Sequence, residues 1–317
     1  CKIGDEGAKA LCEALKTNIT LVNLKLEGAR ALCMALKTNG TLTSLKLCNN
    51  KIGVEGAKAL AAALKSNITL KNLGLGCTTI EDEGARALAK ALETNTPLTH
   101  LNLEGNQIGK NGVKALSVAL KTNITLTNLD LSDNPIEDEG TRALAKALMS
   151  NSTLTDLKLS GISIGNDGAK ALGNVLKTTT TKLANLDLSR NEIGVEGVKA
   201  RGKILKTNTT LTNLDLQVTL GSRTGIPICT EGARALAEAL EINTTLSNLS
   251  LGGNKIGDEG AKALGVALRT NTTLRNLNLE GNRIGKKGDE ALIDARKANT
   301  ELNLTLKHTF DHLYHPR

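Results

Sequence analysis

Leucines recur along the chain at a fixed interval. Leu42, Leu70, Leu98, Leu126 and Leu154 stand 28 residues apart. Leu183 comes one residue late, after a run of threonines at 178–181, and Leu211 follows on time. Leu246 is seven residues late and Leu274 restores the period. Each repeat reads L-x-x-L-x-L-x-x-N-x-I-G-x-x-G-A-x-A-L-x-x-A-L-K-x-N-x-T, with two hydrophobic periods inside it. Leu101 and Leu103 alternate with polar residues, which predicts a short strand with one buried face. From Gly112 to Lys121 the pattern changes. Val113, Leu116, Val118, Ala119 and Leu120 fall at helical spacing with Lys114 and Lys121 outside, which predicts a helix stopping near Asn123.

One strand and one helix cannot bury both apolar faces alone, whereas stacked copies can. Strands sit about 4.8 Å apart and packed helices about 8–10 Å apart, so a parallel sheet inside and helices outside must curve. The expected architecture is an α/β solenoid, a horseshoe of about eleven repeats over residues 1–306, with residues 307–317 as a C-terminal tail. An Asn at each strand end, at 50, 106, 134, 191, 254 and 282, can serve backbone groups in the turn because its amide both donates and accepts. Thr78, Ile162 and Thr219 replace it, which predicts weaker or rearranged turns there.

The pattern L-x-x-L-x-L-x-x-N followed by I-G-x-x-G-A-x-A-L resembles the leucine-rich repeat of the ribonuclease-inhibitor type. Its uniform 28-residue period with K-x-N-x-T is most similar to the repeats of NOD-like receptors. The resemblance implies a non-catalytic protein-interaction domain with ligand-sensing or regulatory use, any signalling domain lying outside this chain. It also admits a GTPase regulator similar to the Ran GTPase-activating protein, or an enzyme inhibitor similar to ribonuclease inhibitor. The basic, His-containing end of this chain departs from the first, and the scarcity of Cys and aromatics from the second.

Several positions break the pattern. Cys1-Lys2-Ile3-Gly4 aligns with Asn50-Lys51-Ile52-Gly53, so the chain opens in mid-repeat, as an excerpt of a longer protein would. Leu26-Glu27-Gly28-Ala29 skips the N-x-I-G turn. Arg201 stands where other helices have Leu, and residues 217–230 carry a seven-residue insertion expected to bulge between strand and helix.

The net charge of +8 raises nucleic acid as a partner. The bases, however, fall in two helix columns: one two residues after the repeat Gly (Lys58, Arg86, Lys114 and equivalents), the other at the helix end. Asp5, Asp82, Asp138 and Asp258 precede bases of the first column by four residues, which predicts i,i+4 pairs on a solvated face. With one Phe, one Tyr and no Trp, bases have little to stack on, and nucleic acid is disfavoured.

The outward strand positions and the two residues after each strand carry eight acids against four bases, opposite in sign to the chain as a whole. His100, Asn102, Glu104, Asp130, Asp133, Asp156, Lys158, Asp187, Arg190 and Asp215 form the candidate partner-binding set, expected on the concave face and suited to a basic protein. No nucleophile motif or phosphate loop stands out from the repeat, so no enzyme activity, cofactor or metal is expected. N-x-S/T sequences at Asn18, Asn39, Asn67, Asn123, Asn151, Asn208, Asn243 and Asn271 share one repeat position, which makes them loop chemistry, with glycosylation only in a secreted chain. Six Cys at 1, 12, 33, 48, 77 and 229 show no C-x-x-C, and no signal peptide or apolar span is visible, so a cytoplasmic setting is expected. In the tail, His308, His312 and His315 would share a helical face, but covering the open end of the last repeat is the preferred role.

Overall fold

A computed structural model describes residues 36–177, 180–218 and 226–306, with the backbone alone at 23–25 and at Arg201 and Ile204. The shortened turn at Leu26–Ala29, the Arg201 side chain, Thr219 with residues 219–225, and the tail at 307–317 lie outside the described residues.

The chain divides into two compact units, Cys1–Lys158 with Thr180–Lys182, and Leu159–Thr179 with Leu183–Arg317. In the first, strands and helices alternate as β1 (Asn23–Lys25), β2 (Ser44–Lys46), α1 (Gly53–Leu64), β3 (Asn72–Gly74), α2 (Glu81–Leu92), β4 (His100–Asn102), α3 (Lys110–Leu120), β5 (Asn128–Asp130), α4 (Glu137–Leu148) and β6 (Asp156–Lys158). In the second the order is α5 (Asn166–Leu176), β7 (Asn185–Asp187), α6 (Val195–Leu205), β8 (Asn213–Asp215), α7 (Cys229–Leu240), β9 (Asn248–Ser250), α8 (Gly257–Leu268), β10 (Asn276–Asn278), α9 (Lys286–Ala298) and β11 (Asn303–Thr305).

Within each unit consecutive strands pair in parallel with repeat-equivalent residues opposite one another, as His100 is to Asn128 and Asn213 to Asn248. Consecutive helices pack side by side. This is the α/β leucine-rich solenoid that the 28-residue period implies. β11 follows Leu302, which keeps the 28-residue interval from Leu274, although the strand register sets Asn303 against Asn276, one residue early. Glu301 occupies the leading position there, and Leu302 turns inward in its place at 2 % exposure.

The core lies between strands and helices, where Leu101, Leu103, Ile108, Val113, Leu116 and Leu120 are buried. Val118 corrects the expected helix face, being 58 % exposed. The buried stripe of a helix runs i, i+3, i+4, i+7, which here selects 113, 116, 117 and 120. Ser117 therefore faces inward, with no partner for its hydroxyl.

The strand-end asparagines form a ladder. Asn134 Nδ2 donates to the carbonyls of Leu103 (2.9 Å), Leu131 (2.9 Å) and Ser132 (3.0 Å). Its Oδ1 accepts the N–H groups of Asn106 and Ile108, each at 2.9 Å. Where the next repeat carries this Asn, its amide thus completes the turn; where Thr78 and Ile162 replace it, Ile52 N–H and Ile136 N–H turn back to Asn50 O (3.0 Å) and Asn134 O (2.8 Å) of their own repeats. The rearrangement expected at Thr78 and Ile162 falls on the preceding turn. Thr78 N–H reaches Asn106 Oδ1 at 3.0 Å, and Ile162 N–H reaches Asn191 Oδ1 at 3.0 Å, so the neighbour's rung holds both.

A second ladder lies at the helix C-termini. Asn123 Nδ2 donates to Leu92 O at 2.9 Å while its Oδ1 accepts Leu126 N–H at 2.8 Å, and Asn271 repeats this with Leu240 and Leu274. These are the asparagines of the N-x-S/T sequences. Asn39, Asn67, Asn123, Asn151, Asn208, Asn243 and Asn271 are at most 6 % exposed, so a glycan on any of them would displace its amide from these bonds. Asn18 lies outside the described residues.

Two of the helix acids, Asp82 and Asp258, differ from expectation, while Asp5 lies outside the described residues. Asp82 Oδ1 accepts the N–H groups of Gly109 (2.7 Å) and Gly112 (2.9 Å), capping α3 of the following repeat. Asp258 does the same for Gly285 and Gly288 at 2.7 and 3.0 Å. Lys262 pairs instead at i,i+3 with Glu259 at 2.6 Å, as Lys199 does with Glu196 at 2.9 Å. A shorter acid placed first is better spent on orphan N–H groups than on a base four residues away.

Candidate functional site

In-register pairing turns the outward strand residues into two rows on the helix-free face of each unit. In the first unit a groove of about 550 Å³ opens there, lined from β2 through β6. Its floor includes Leu73, Leu101 and Leu129, and its walls include Lys46, Cys48, His100, Asn102, Asp130, Asp156 and Lys158.

Gly74 is the residue that opens it. A Cβ at this position would lie 3.3 Å from Cys48 Sγ and 3.7 Å from Lys46 Cγ, so any side chain would fill the space between β2 and β4. The backbone does not require glycine there, because Gly74 is not among the positive-φ residues. A glycine inside a strand marks a site of close approach. A glycine at this strand position is legible in the sequence, though charge alone does not single it out.

Five members of the candidate set therefore line one groove: His100, Asn102, Asp130, Asp156 and Lys158. The carboxylates are partly committed. Asp130 Oδ1 accepts Ser132 N–H at 3.0 Å, and Lys158 Nζ lies 3.9 Å from its Oδ2. Asp156 Oδ2 accepts the Thr155 hydroxyl at 2.7 Å. Asn102 Oδ1 accepts Glu104 N–H at 2.9 Å, the same turn that Asp130 closes, so one short acceptor at this position has a structural use in either form. The Thr99 hydroxyl lies 2.8 Å from His100 Nδ1.

Glu104 and Asp133 do not line the groove but stand on the turns that follow β4 and β5. There, partial desolvation first, then Glu104, Cys48 and Asp133, push the Cys77 thiol up from its ordinary value, which disfavours the thiolate. Asp133 holds a left-handed backbone at φ 54°, where Gly105 and Gly161 stand in other repeats.

In the second unit Asp187 and Asp215 are directly paired across β7 and β8. Each closes its strand end, Asp187 accepting Ser189 N–H and Asp215 accepting Gln217 N–H, both at 2.9 Å. Burial pushes the Asp215 carboxyl up from its ordinary value, opposed by the Gln217 bond and reinforced by the Asp187 charge. Arg190 Nε donates to Ser160 Oγ at 3.0 Å. The first outward row of this unit is an amide chain in which Asn213 donates to Asn185, Asn248 to Asn213, Asn276 to Asn248 and Asn303 to Asn276.

Among the described residues no group of three or more His, Cys, Asp or Glu is placed to hold a metal, and no helix is long and apolar enough to cross a membrane.

Comparison with known families agrees with this repeat architecture. Residues 49–143 match a family model described as the TMOD/LMOD leucine-rich domain. Residues 1–12, 150–173, 181–200, 243–265 and 270–292 match a leucine-rich repeat model. No curated protein matches the chain significantly. Solved structures that match include "Leiomodin-1 Actin-Binding Site 2 (ABS2)", at 27% identity, covering 45% of this chain and 84% of that one, with a TM-score of 0.41.

Proposed function

We propose that this leucine-rich repeat protein is a non-catalytic docking scaffold that receives a protein partner on the helix-free face of its strands. The observation that carries this is the groove of the first unit, a preformed recess of about 550 Å³ whose lining comes from five successive strands. A recess floored by strand backbone beneath a rim of fixed polar groups suits a side chain presented by another protein. Asp130 and Asp156 supply negative charge for a basic group, while Lys46 and Lys158 favour a partner segment whose bases are accompanied by acids. Glu104 and Asp133 would add contacts from the first unit's turns, and Asp187, Arg190 and Asp215 from the second unit's strands.

The finer assignment we favour is a ligand-sensing or regulatory repeat domain similar to those of NOD-like receptors, supported by the uniform 28-residue period with K-x-N-x-T. A GTPase-activating regulator and an enzyme inhibitor are the alternatives, and GTPase-stimulation and ribonuclease-inhibition assays separate them. Free Cys48, Cys77 and Cys229 suit a reducing compartment, and we place the protein in the cytoplasm.

The test pairs Asp130→Asn with Asp156→Asn. Asparagine at 130 keeps the acceptor for Ser132 N–H, as Asn102 does for Glu104, so the turn survives while both charges go. Binding of an Arg- and Lys-containing peptide, followed by fluorescence anisotropy, should weaken by about ten-fold or more. Unchanged affinity in the double variant would sink the reading.

A further inference from the structure

The outer surface of the second unit carries a feature the docking face does not explain. A groove of about 750 Å³ crosses α5, α6 and α7. It forms because the helix surface is low there. Ala200 and Ala235 belong to its lining, and α6 meets α7 so closely that a Cβ on Gly202 would lie 2.6 Å from Ala235 O.

Six bases, Lys170, Lys177, Lys199, Lys203, Lys206 and Arg234, line it against three glutamates. Four of the bases have acid partners: Lys170 with Asp167 (3.9 Å), Lys199 with Glu196 (2.9 Å), Lys206 with Glu238 (3.3 Å) and Arg234 with Glu259 (4.0 Å). Among the described residues Lys177 and Lys203 have none, and both are exposed. Glu196 feels Lys170 and Lys203 as well as its partner Lys199, so a single carboxylate answers a cluster of ammonium groups. The field there asks for more negative charge.

We propose that this outer groove is a docking site for an acidic segment of another protein, with Lys177 and Lys203 receiving its carboxylates. The three glutamates decide between acidic partners. A phosphodiester chain carries a uniform row of charge and would meet Glu196, Glu231 and Glu238 as repulsion, whereas a peptide can set neutral or basic residues against them. The lining also holds no aromatic ring on which a base could stack. Since this site faces a partner of opposite sign from the strand groove, it stands or falls separately from it.

The experiment uses the full chain and a labelled Glu-rich peptide of about eight residues, which when extended spans two interhelix steps of ~10 Å. Lys177→Glu with Lys203→Glu should weaken binding by about ten-fold, because two attractions become repulsions. A control of equal net charge, Lys65→Glu at the end of α1 with Lys90→Glu on α2, neither of which lines this groove, should change it by less than about two-fold. Thermal midpoints of both variants confirm that each is folded. Equal weakening by the two variants, no peptide binding, or tighter binding of a single-stranded DNA of matched charge would each overturn the proposal.

Discussion

Asp215 serves two opposed ends. Its carboxylate closes the end of β8 through Gln217 N–H, yet burial and the Asp187 charge opposite both disfavour its ionised form. A carboxyl whose pKa is raised on folding takes up its proton more readily in the folded chain. The folded state therefore gains stability as pH falls through the raised value, and the gain is complete below the ordinary 3.8. Ionised near neutral pH, the group subtracts stability. Asp215→Asn keeps the acceptor, as Asn278 does for Glu280 N–H, and should raise the thermal midpoint near pH 7. The advantage over the parent chain should vanish below 3.8, and a constant advantage across pH would contradict this account.

Cys229 shows a second cost borne by one residue. It holds φ at 54°, where Gly53 and Gly257 occupy the same repeat position at 63° and 67°. A left-handed non-glycine residue costs roughly 1–2 kcal/mol, part of which glycine gives back through its freer unfolded chain. Cys229→Gly should stabilise by up to about 1 kcal/mol in denaturant titration. At this scale the sequence displays residue types but not their duties. The aspartates of the strand rows looked like ligands for a base, and only the N–H bonds at Ser132, Ser189 and Gln217 reveal their first occupation.

Elements were the most legible level, because a strand and a helix each advertise themselves by period. What the period leaves open is phase. Ser117, not Val118, completes the buried stripe of α3, and its hydroxyl is orphaned among leucines. Ser117→Ala should stabilise by about 1 kcal/mol, since a buried donor without a partner costs about that much or more. Loss of midpoint in chemical unfolding would count against it. The ladders were half visible: an Asn recurring at a strand end suggests a turn, but three of Asn134's five bonds reach the preceding repeat, which no local pattern encodes. Asn134→Ala would orphan the carbonyls and N–H groups that its amide serves. We expect a loss of about 3 kcal/mol or more, from several buried groups left unpaired at about 1–3 kcal/mol each. Asn134→Thr should recover part of it, because Thr78 fills this role with a hydroxyl 2.6 Å from Leu75 O.

Stability in a repeat chain is a sum of neighbouring interactions rather than one global sum. The damage from Asn134→Ala should therefore fade with repeat distance. Hydrogen exchange should quicken around β4, β5 and the turns that Asn134 clamps, while β9 to β11 keep their protection. Uniform loss along the whole chain would show a cooperativity this architecture does not supply. The scarcity of aromatics belongs to this scale too. A core only one strand and one helix deep is filled by Leu, Ile and Ala, as at Leu101, Ile108 and Ala119, and needs no larger ring.

Asn254 grips both sides of the insertion. Its Nδ2 donates to Leu216 O at 2.9 Å and its Oδ1 accepts Ile228 N–H at 3.2 Å, so the described ends of the added segment are pinned by one amide from the next repeat. With the ends fixed, lengthening the chain between them should cost little, since doubling the length of a closed segment costs only about 0.6 kcal/mol. The chain thus contains a ready-made cloning site. A foreign epitope, a fluorophore-binding tag or a small domain with adjacent termini could replace residues 219–225 with the flanking repeats left to fold as they do now.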